Sequence, residues 1–372
     1  MVCIRPKRMF RQVTMAFGSE VLFIVICLNT EDFRMKNNLY SSSQRRTPWD
    51  EKKDLSPVQA FIRSEYLDTW DRHHPLLKET DEADFLNLLE VHCCRYCGSA
   101  DFKKNGYTCN GIQRYKCRDC SRTFTVLSNT LFDSHKVSII EWIEYLLNLF
   151  GYVSFHSTSR NSRIADSTVK YWLFKLFDIL KHYQDDIVLS GDVYIDETYC
   201  HVAKKDLIKK YDGTLKASEN QYCIGIGYDG KRVYCKSEGL GIQTSYKKTY
   251  DTFIGHIEKG SSLIHDKERC HNILIEPLNL TSFAYNSNEC KKLKDEDNPL
   301  QPINDRCNLL KQFLKSHRGF SREYLQDYLN LYAFMNNPPY DKLEKIEYLI
   351  NYVTNNVKTI RYRDAMSHKT DE

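Results

Sequence analysis

A multidomain α+β/α protein is predicted by three patterns in this sequence. Two Cys-x2-Cys pairs stand nineteen residues apart, a strongly helical stretch runs from 138 to 183, and residues 191–266 alternate apolar and polar positions between glycines. The first is a metal-knuckle spacing, the second a helical period and the third a strand period. At 372 residues the chain can form two or three domains, each with its own core. Hydrophobic residues make up 41% and charged residues 27%, which excludes disorder throughout and a membrane protein.

Residues 1–50 read as a leader of unassigned role. Its apolar run, Val21 to Leu28, follows Lys7, Arg8 and Arg11, lacks a small-residue cleavage site, and is far shorter than the roughly 20 residues that span a bilayer. A core strand or an ill-ordered leader fits it better than a targeting signal. The polar run from Ser41 to Pro48 reads as a linker. Residues 51–90 form a helical segment, clearest at Phe85, Leu86, Leu88 and Leu89 after the capping signal Thr80-Asp81-Glu82. With no secretory signal, the fourteen cysteines point to a reducing cytoplasm, where clustered thiols bind metal more often than they cross-link.

The segment 91–135 holds the knuckles: Cys94 and Cys97, then Cys117 and Cys120. Two thiolates two residues apart on a tight turn reach one ion, and two such turns complete a tetrahedral, closed Zn2+ site of structural type. Gly98 and Ser121 suit the turns, while Tyr107 and Gln113 to Lys116 suit the short strands of a zinc ribbon. Cys93, Cys109 and His92 read as spectators, although Cys93 could compete with Cys94. The segment carries seven Lys/Arg against three acids, an excess equal to the whole chain's +4. That local charge fits contact with phosphate or simply a solvated face.

Across 136–185, Ser138 and Glu141 make a capping box, and a second helix starts near Asp166 after a polar turn. The pattern fits a helix-turn-helix reader of double-stranded DNA. Ser167, Thr168 and Lys170, with Tyr171, would face base edges, and Arg160 and Arg163 would hold phosphates. An ordinary packed helix pair gives the same pattern.

Further on, the strand from Gly191 to Tyr199 presents Asp196. Two more strands, 222–228 and 232–237, join through the hairpin turn Asp229-Gly230. A helix over about 245–258 leads to a short strand, 261–266, that ends in Asp266. A mixed sheet of this kind gathers distant carboxylates at one edge, and oxygen ligands suit a pair of Mg2+ or Mn2+ ions for phosphoryl transfer. The rest reads as helical apart from the charged loop 291–299.

Taken in order, these parts resemble the insertion-sequence DDE transposases that carry an N-terminal zinc ribbon, the group numbered fifteen ninety-five. The resemblance runs over roughly residues 85–337. It is carried by Tyr115 to Cys120 with Phe124, Thr130 and Phe132, by Val193 to Tyr199, by Leu309-Leu310-Lys311, by His317 to Ser321, by Tyr324 to Leu329, and by Phe334 and Asn336. It implies a ribonuclease-H-like mixed-sheet catalytic core over 186–340, followed by a C-terminal helical tail, 341–372. Asp196 would be the first metal carboxylate and Asp266 the second. The third group should precede Leu-Leu-Lys, which puts it at Asn304, with Lys311 two helical turns on along the same face to hold a phosphate. Asp305 is the neighbouring alternative, turned about 100° around the helix. Gln301-Pro302-Ile303 and Cys307 depart from the family's usual residues.

The activity implied is cleavage of the element's 3′ ends at its terminal inverted repeats and their transfer to target DNA. It would be carried out by a homo-oligomer on DNA in the bacterial cytoplasm, associated with the nucleoid. A catalytically silent DNA-binding protein or repressor derived from such an enzyme is the alternative, and a hydrolytic nuclease a third.

Overall fold

A computed structural model describes residues 11–17, 20–26, 56–58, 79–133, 139–162, 164–201, 207, 220–241, 244–317, 320–356 and 358–367. The linker at 41–48, Ser138 and Arg163 lie outside the described residues. The chain divides into two compact units, Met1–Ser64 and Glu65–Glu372. In the first, β1 (Arg11–Phe17) pairs antiparallel with β2 (Glu20–Ile26), so the apolar run at Val21 is a strand. Among the described residues, no helix is long and apolar enough to cross a membrane.

The second unit opens with α1 (Glu79–Leu88). This helix starts one residue before Thr80, which therefore lies inside it rather than capping it. A three-stranded antiparallel sheet follows: β3 (Phe102–Tyr107), β4 (Gln113–Cys117) and β5 (Thr123–Phe124). Its core is small, with Phe124 buried against Cys94, Cys117, Phe102 and Tyr115. Three helices come next: α2 (Ile139–Phe150), α3 (Phe155–Ser162) and α4 (Asp166–Leu180). The backbone N–H that opens α2 donates to Glu82 Oε1 of α1, 3.1 Å away, so a side chain from a distant element serves this helix end.

The central element is a five-stranded mixed sheet. It contains β6 (Asp192–His201), β7 (Gln221–Tyr228), β8 (Val233–Leu240), β9 (Ser262–Asp266) and β10 (Thr281–Tyr285), in the spatial order β10-β9-β6-β7-β8. The first three form an antiparallel meander, while β9 runs parallel to β6 and β10 parallel to β9. This mixed architecture is consistent with the ribonuclease-H-like core that the resemblance implies. The fifth strand corrects the expectation of helix after residue 266. Thr281-Ser282-Phe283-Ala284-Tyr285 lacks a continuous apolar face because it is an exposed edge strand, which signals itself poorly.

Period-two patterning gives each sheet face its own core. Val193, Ile195, Leu263 and Tyr234 pack with Phe253, Ile257 and Leu274, beneath α5 (Tyr246–Phe253) and the 3-10 turn Arg269–Leu274. Ser245 caps α5 by accepting from the Lys248 N–H, and the helix ends at Phe253, short of the anticipated 258. On the opposite face Ile224, Ile226, Cys235 and Ile264 join a larger core with α4, α6 (Gln301–Ser316), α7 (Leu325–Asn336) and α8 (Lys342–Asn355). A last helix, α9 (Tyr362–Ser367), packs on α4.

The outer edge of β8 is closed by amide side chains acting as a surrogate strand. Asn337 accepts from Val233 N–H at 2.6 Å and donates to its carbonyl at 2.9 Å, and Gln184 does the same at Cys235 at 2.8 and 2.9 Å.

Close packing of α5 on the sheet depends on two glycines of β7. A Cβ at Gly227 would lie 2.6 Å from Leu189 Cδ1 and 3.3 Å from Phe253 Cε1; one at Gly225 would lie 2.9 Å from Thr252 Cγ2. Gly227→Ala is expected to cost about 1–3 kcal/mol through overpacking, read as a lowered thermal midpoint; an unchanged midpoint would show that α5 can shift freely.

Candidate active site and metal centre

The knuckle cysteines converge. Cys94, Cys97, Cys117 and Cys120 have their sulfurs within 4.8 Å of one another, with Cys94 to Cys120 and Cys97 to Cys117 both 3.6 Å. Tetrahedral Zn2+ with Zn–S bonds of about 2.3 Å needs S···S edges of about 3.8 Å, so the donor set fits zinc. Each knuckle turns through a positive φ at the residue after the pair, +74° at Gly98 and +59° at Ser121. Backbone N–H groups of Tyr96 and Cys120 donate to the Cys94 and Cys117 sulfurs, each at 3.5 Å. The Cys120 amide is the main reason that the Cys117 thiol is pulled down to about 7, which favours the thiolate that a metal requires. Cys93 and Cys109 stand outside this group, the latter exposed and donating to Asn110 Oδ1.

At the central sheet, parallel pairing sets Ile195 beside His265, so the next residues, Asp196 and Asp266, are neighbours across β6 and β9. Asp196 lies on the face covered by α6, where it pairs in register with the buried Ile226, and Asp266 is the last residue of β9. Burial raises the Asp196 carboxyl to about 6, and the charges of Glu197 and Asp266 add to the shift. Its Oδ1 accepts from the Glu197 N–H at 2.8 Å, and Asp266 Oδ1 accepts from the Glu268 N–H at 3.0 Å. Two acidic side chains are thus gathered here, one of them desolvated.

From α6 the group that touches Asp196 is the Cys307 thiol, which donates to Oδ2 at 3.8 Å. Asn304 lies one turn before Cys307 and Lys311 one turn after, so helical spacing sets all three on one face; Lys311 is exposed and Asn304 half-buried. Asp305 is exposed and accepts from Gln301 Nε2 at 2.8 Å, directed along its own helix. Sequence reasoning gave Cys307 no contact with the carboxylates. Its separation of three from Asn304 was the available signal.

The opposite sheet face brings together residues to which the sequence reading gave no role. His271, in the 3-10 turn, donates from Nε2 to Glu197 Oε1 at 3.0 Å, and its Nδ1 lies 3.2 Å from His265 Nδ1 and 3.5 Å from Asp266 Oδ1. Burial works against the His271 cation, but the Glu197 hydrogen bond and the surrounding carboxylates outweigh it and raise its pKa. Burial, together with that neighbouring charge, lowers His265 to about 4. Cys270 lies beside Glu197 and His271. The signal was present as His265-Asp266 followed by Cys270-His271.

Among the expected DNA contacts, Arg160 and Lys170 are exposed, Ser167 and Thr168 half-buried. A hydrogen-bonded His156–Asp166 pair, 2.9 Å, joins α3 to α4. The rest of α4 is largely core: Val169, Trp172, Leu173, Leu176 and Phe177 are buried, Lys175 donates to the Leu131 carbonyl, and Tyr171 to that of Ile360. On the ribbon, Lys103 and Lys116 are exposed and directly paired across β3 and β4.

With so small a core of its own, the ribbon should depend on the ion. Cys97→Ser is expected to carry less zinc and to lose protease protection across the ribbon while the central sheet stays protected. Unchanged zinc content, measured by elemental analysis, would contradict the four-sulfur site.

The chain matches no protein-family model and no curated protein. Among solved structures it is similar to the catalytic domain of Mos1 mariner transposase, at 14% identity over 51% of this chain and 95% of that one, with a TM-score of 0.28. Similarity to the Mos1 Strand Transfer Complex is 14% identity over 61% of this chain and 76% of that one, with a TM-score of 0.27. A chain of the simian T-cell lymphotropic virus intasome in complex with PP2A regulatory subunit B56 gamma is 11% identical over 52% of this chain, with a TM-score of 0.25. The present chain spans 65% of that chain's length. Overlaps at these TM-scores are too slight to assign a fold, which is described instead by strand order and sense.

Proposed function

We propose that this chain is an insertion-sequence DDE-type transposase with a ribonuclease-H-like core. It would bind the terminal inverted repeats of its element, cleave the 3′ ends and transfer them to target DNA by two-metal phosphoryl transfer. The observation that carries this reading is the placement of Asp196 and Asp266 side by side on adjacent parallel strands, under a helix that bears Asn304 and Lys311.

Asp196 and Asp266 would hold Mg2+ or Mn2+, with Asn304 as the third ligand. When bound, a pair of such ions stabilises both the attacking and the leaving oxygen of an in-line displacement at phosphorus. An Asn oxygen brings no charge, so affinity for the second ion should be weaker than with a carboxylate there. Lys311 is assigned to a DNA phosphate beside the carboxylates, where an ammonium acts as a point charge.

DNA binding is assigned to two surfaces. Lys103 faces Lys116 across the ribbon, and like charges directly opposite destabilise a sheet; phosphate oxygens would offset that cost. Arg160 and Arg163 would hold backbone phosphates while Ser167, Thr168 and Lys170, at the start of α4, meet base edges. Zinc in the Cys94, Cys97, Cys117 and Cys120 site would keep the ribbon folded. Two or more protomers would pair the element's ends, in the bacterial cytoplasm at the nucleoid.

A second reading is a catalytically silent DNA-binding protein or repressor derived from such an enzyme. The neutral Asn304 and the Cys307 thiol on Asp196 favour it. A strand-joining assay with the element's end sequences and Mg2+ or Mn2+ separates the two. Joined product is expected from the native chain, and Asp196→Ala should reduce it to background while end binding persists. Joining by that variant would refute the site; bound but uncut ends with the native chain would favour the silent reading.

A further inference from the structure

We propose a second transition-metal site, distinct from the zinc knuckles, formed by His265 Nδ1, His271 Nδ1 and the Asp266 carboxylate. It takes a borderline divalent ion of the Zn2+ class. Both imidazoles are almost wholly buried, and each has its outer nitrogen occupied by an oxygen: His271 Nε2 by Glu197 Oε1 at 3.0 Å, His265 Nε2 by Ser282 Oγ at 3.0 Å. Those partners direct both Nδ1 atoms inward, toward each other at 3.2 Å, with Asp266 Oδ1 3.5 Å from the His271 nitrogen. A tetrahedral ion with bonds of about 2.0–2.1 Å needs donor edges of about 3.3–3.4 Å; the two edges at His271 Nδ1 bracket that length, and all three ligand atoms lie within 4.8 Å of one another. A carboxylate behind a ligating imidazole is the usual outer-sphere arrangement, fixing the tautomer and orienting the ring; Glu197 supplies it here.

Two imidazoles favour zinc, and cobalt as its spectroscopic substitute, over the oxygen-preferring magnesium and manganese. The three ligands leave a fourth position for solvent. Asp266 ends β9, reached by His271 from one sheet face and adjacent to Asp196 on the other. Occupancy therefore ties up a carboxylate that the proposed phosphoryl-transfer centre also needs. The site itself stands without that reading, since binding requires only these three side chains. In its absence the same atoms form a hydrogen bond between the two Nδ1 atoms.

The full-length chain, freed of metal and titrated with Co2+ under reducing conditions, distinguishes the two. In the Asp196→Ala background, which removes the oxygen-only centre, two equivalents are expected: one with the intense thiolate-to-cobalt charge-transfer absorption of a four-sulfur site, one with ligand-field bands alone. His271→Gln and His265→Gln should each lose only the second, and Cys97→Ser only the first. Zn2+ should displace both. The proposal is overturned if the Asp196→Ala chain saturates at one equivalent, if the second survives in both histidine variants, or if it carries thiolate charge transfer, which would assign the ion to Cys270. None of these readings uses strand joining, so failure of the transposase assay leaves the test intact.

Discussion

Parallel pairing of β6 with β9 is the constraint on which the candidate site depends. The in-register pair Ile195–His265 makes Asp196 and Asp266 the next neighbours, so two acids far apart in sequence meet where β9 ends against the middle of β6. Coulomb repulsion and desolvation both oppose that arrangement, and the raised Asp196 carboxyl reflects them. A fold maintains such a juxtaposition only when surrounding packing over-determines it. Here the packing comes from both faces, through the α5 core beneath Ile195 and Leu263 and the larger helical core against Ile226 and Ile264.

The same register divides chemistry between the faces. Side chains alternate along a strand, so Asp196 faces α6 while its successor Glu197 faces His271. Oxygen donors thereby collect under the helix that carries Asn304, Cys307 and Lys311, and imidazoles collect on the other side. Asp266 belongs to both groups because it is the last residue of its strand, where the sheet no longer separates the faces.

Helical packing imposes a comparable division on α4. Its first turn carries half-buried Ser167 and Thr168 and exposed Lys170, while the turns beyond support α7, α8 and α9. A helix so anchored cannot reorient as a free reader, and any DNA contact through it is confined to that first turn. The ribbon differs: its stability rests on a handful of aromatic and sulfur contacts, and its exposed strand faces carry charge instead of apolar cover.

Local chemistry made much of this legible in the sequence. Cys94, Cys97, Cys117 and Cys120 declare a four-sulfur cluster because the spacing within each knuckle is itself the geometry of the turn. Alternation marked β6 to β9, and Asp229-Gly230 marked their hairpin, because strand period and turn conformation are properties of a few consecutive residues. The edge strand β10 was not legible, since an exposed strand lacks an apolar face to reveal it. Neither were the Cys307 contact with Asp196 nor the convergence of His265, His271 and Glu197. Those depend on which helix and which turn close over each face of the sheet, and that is settled by residues far apart in the chain, 111 positions between Cys307 and Asp196 and 74 between His271 and Glu197.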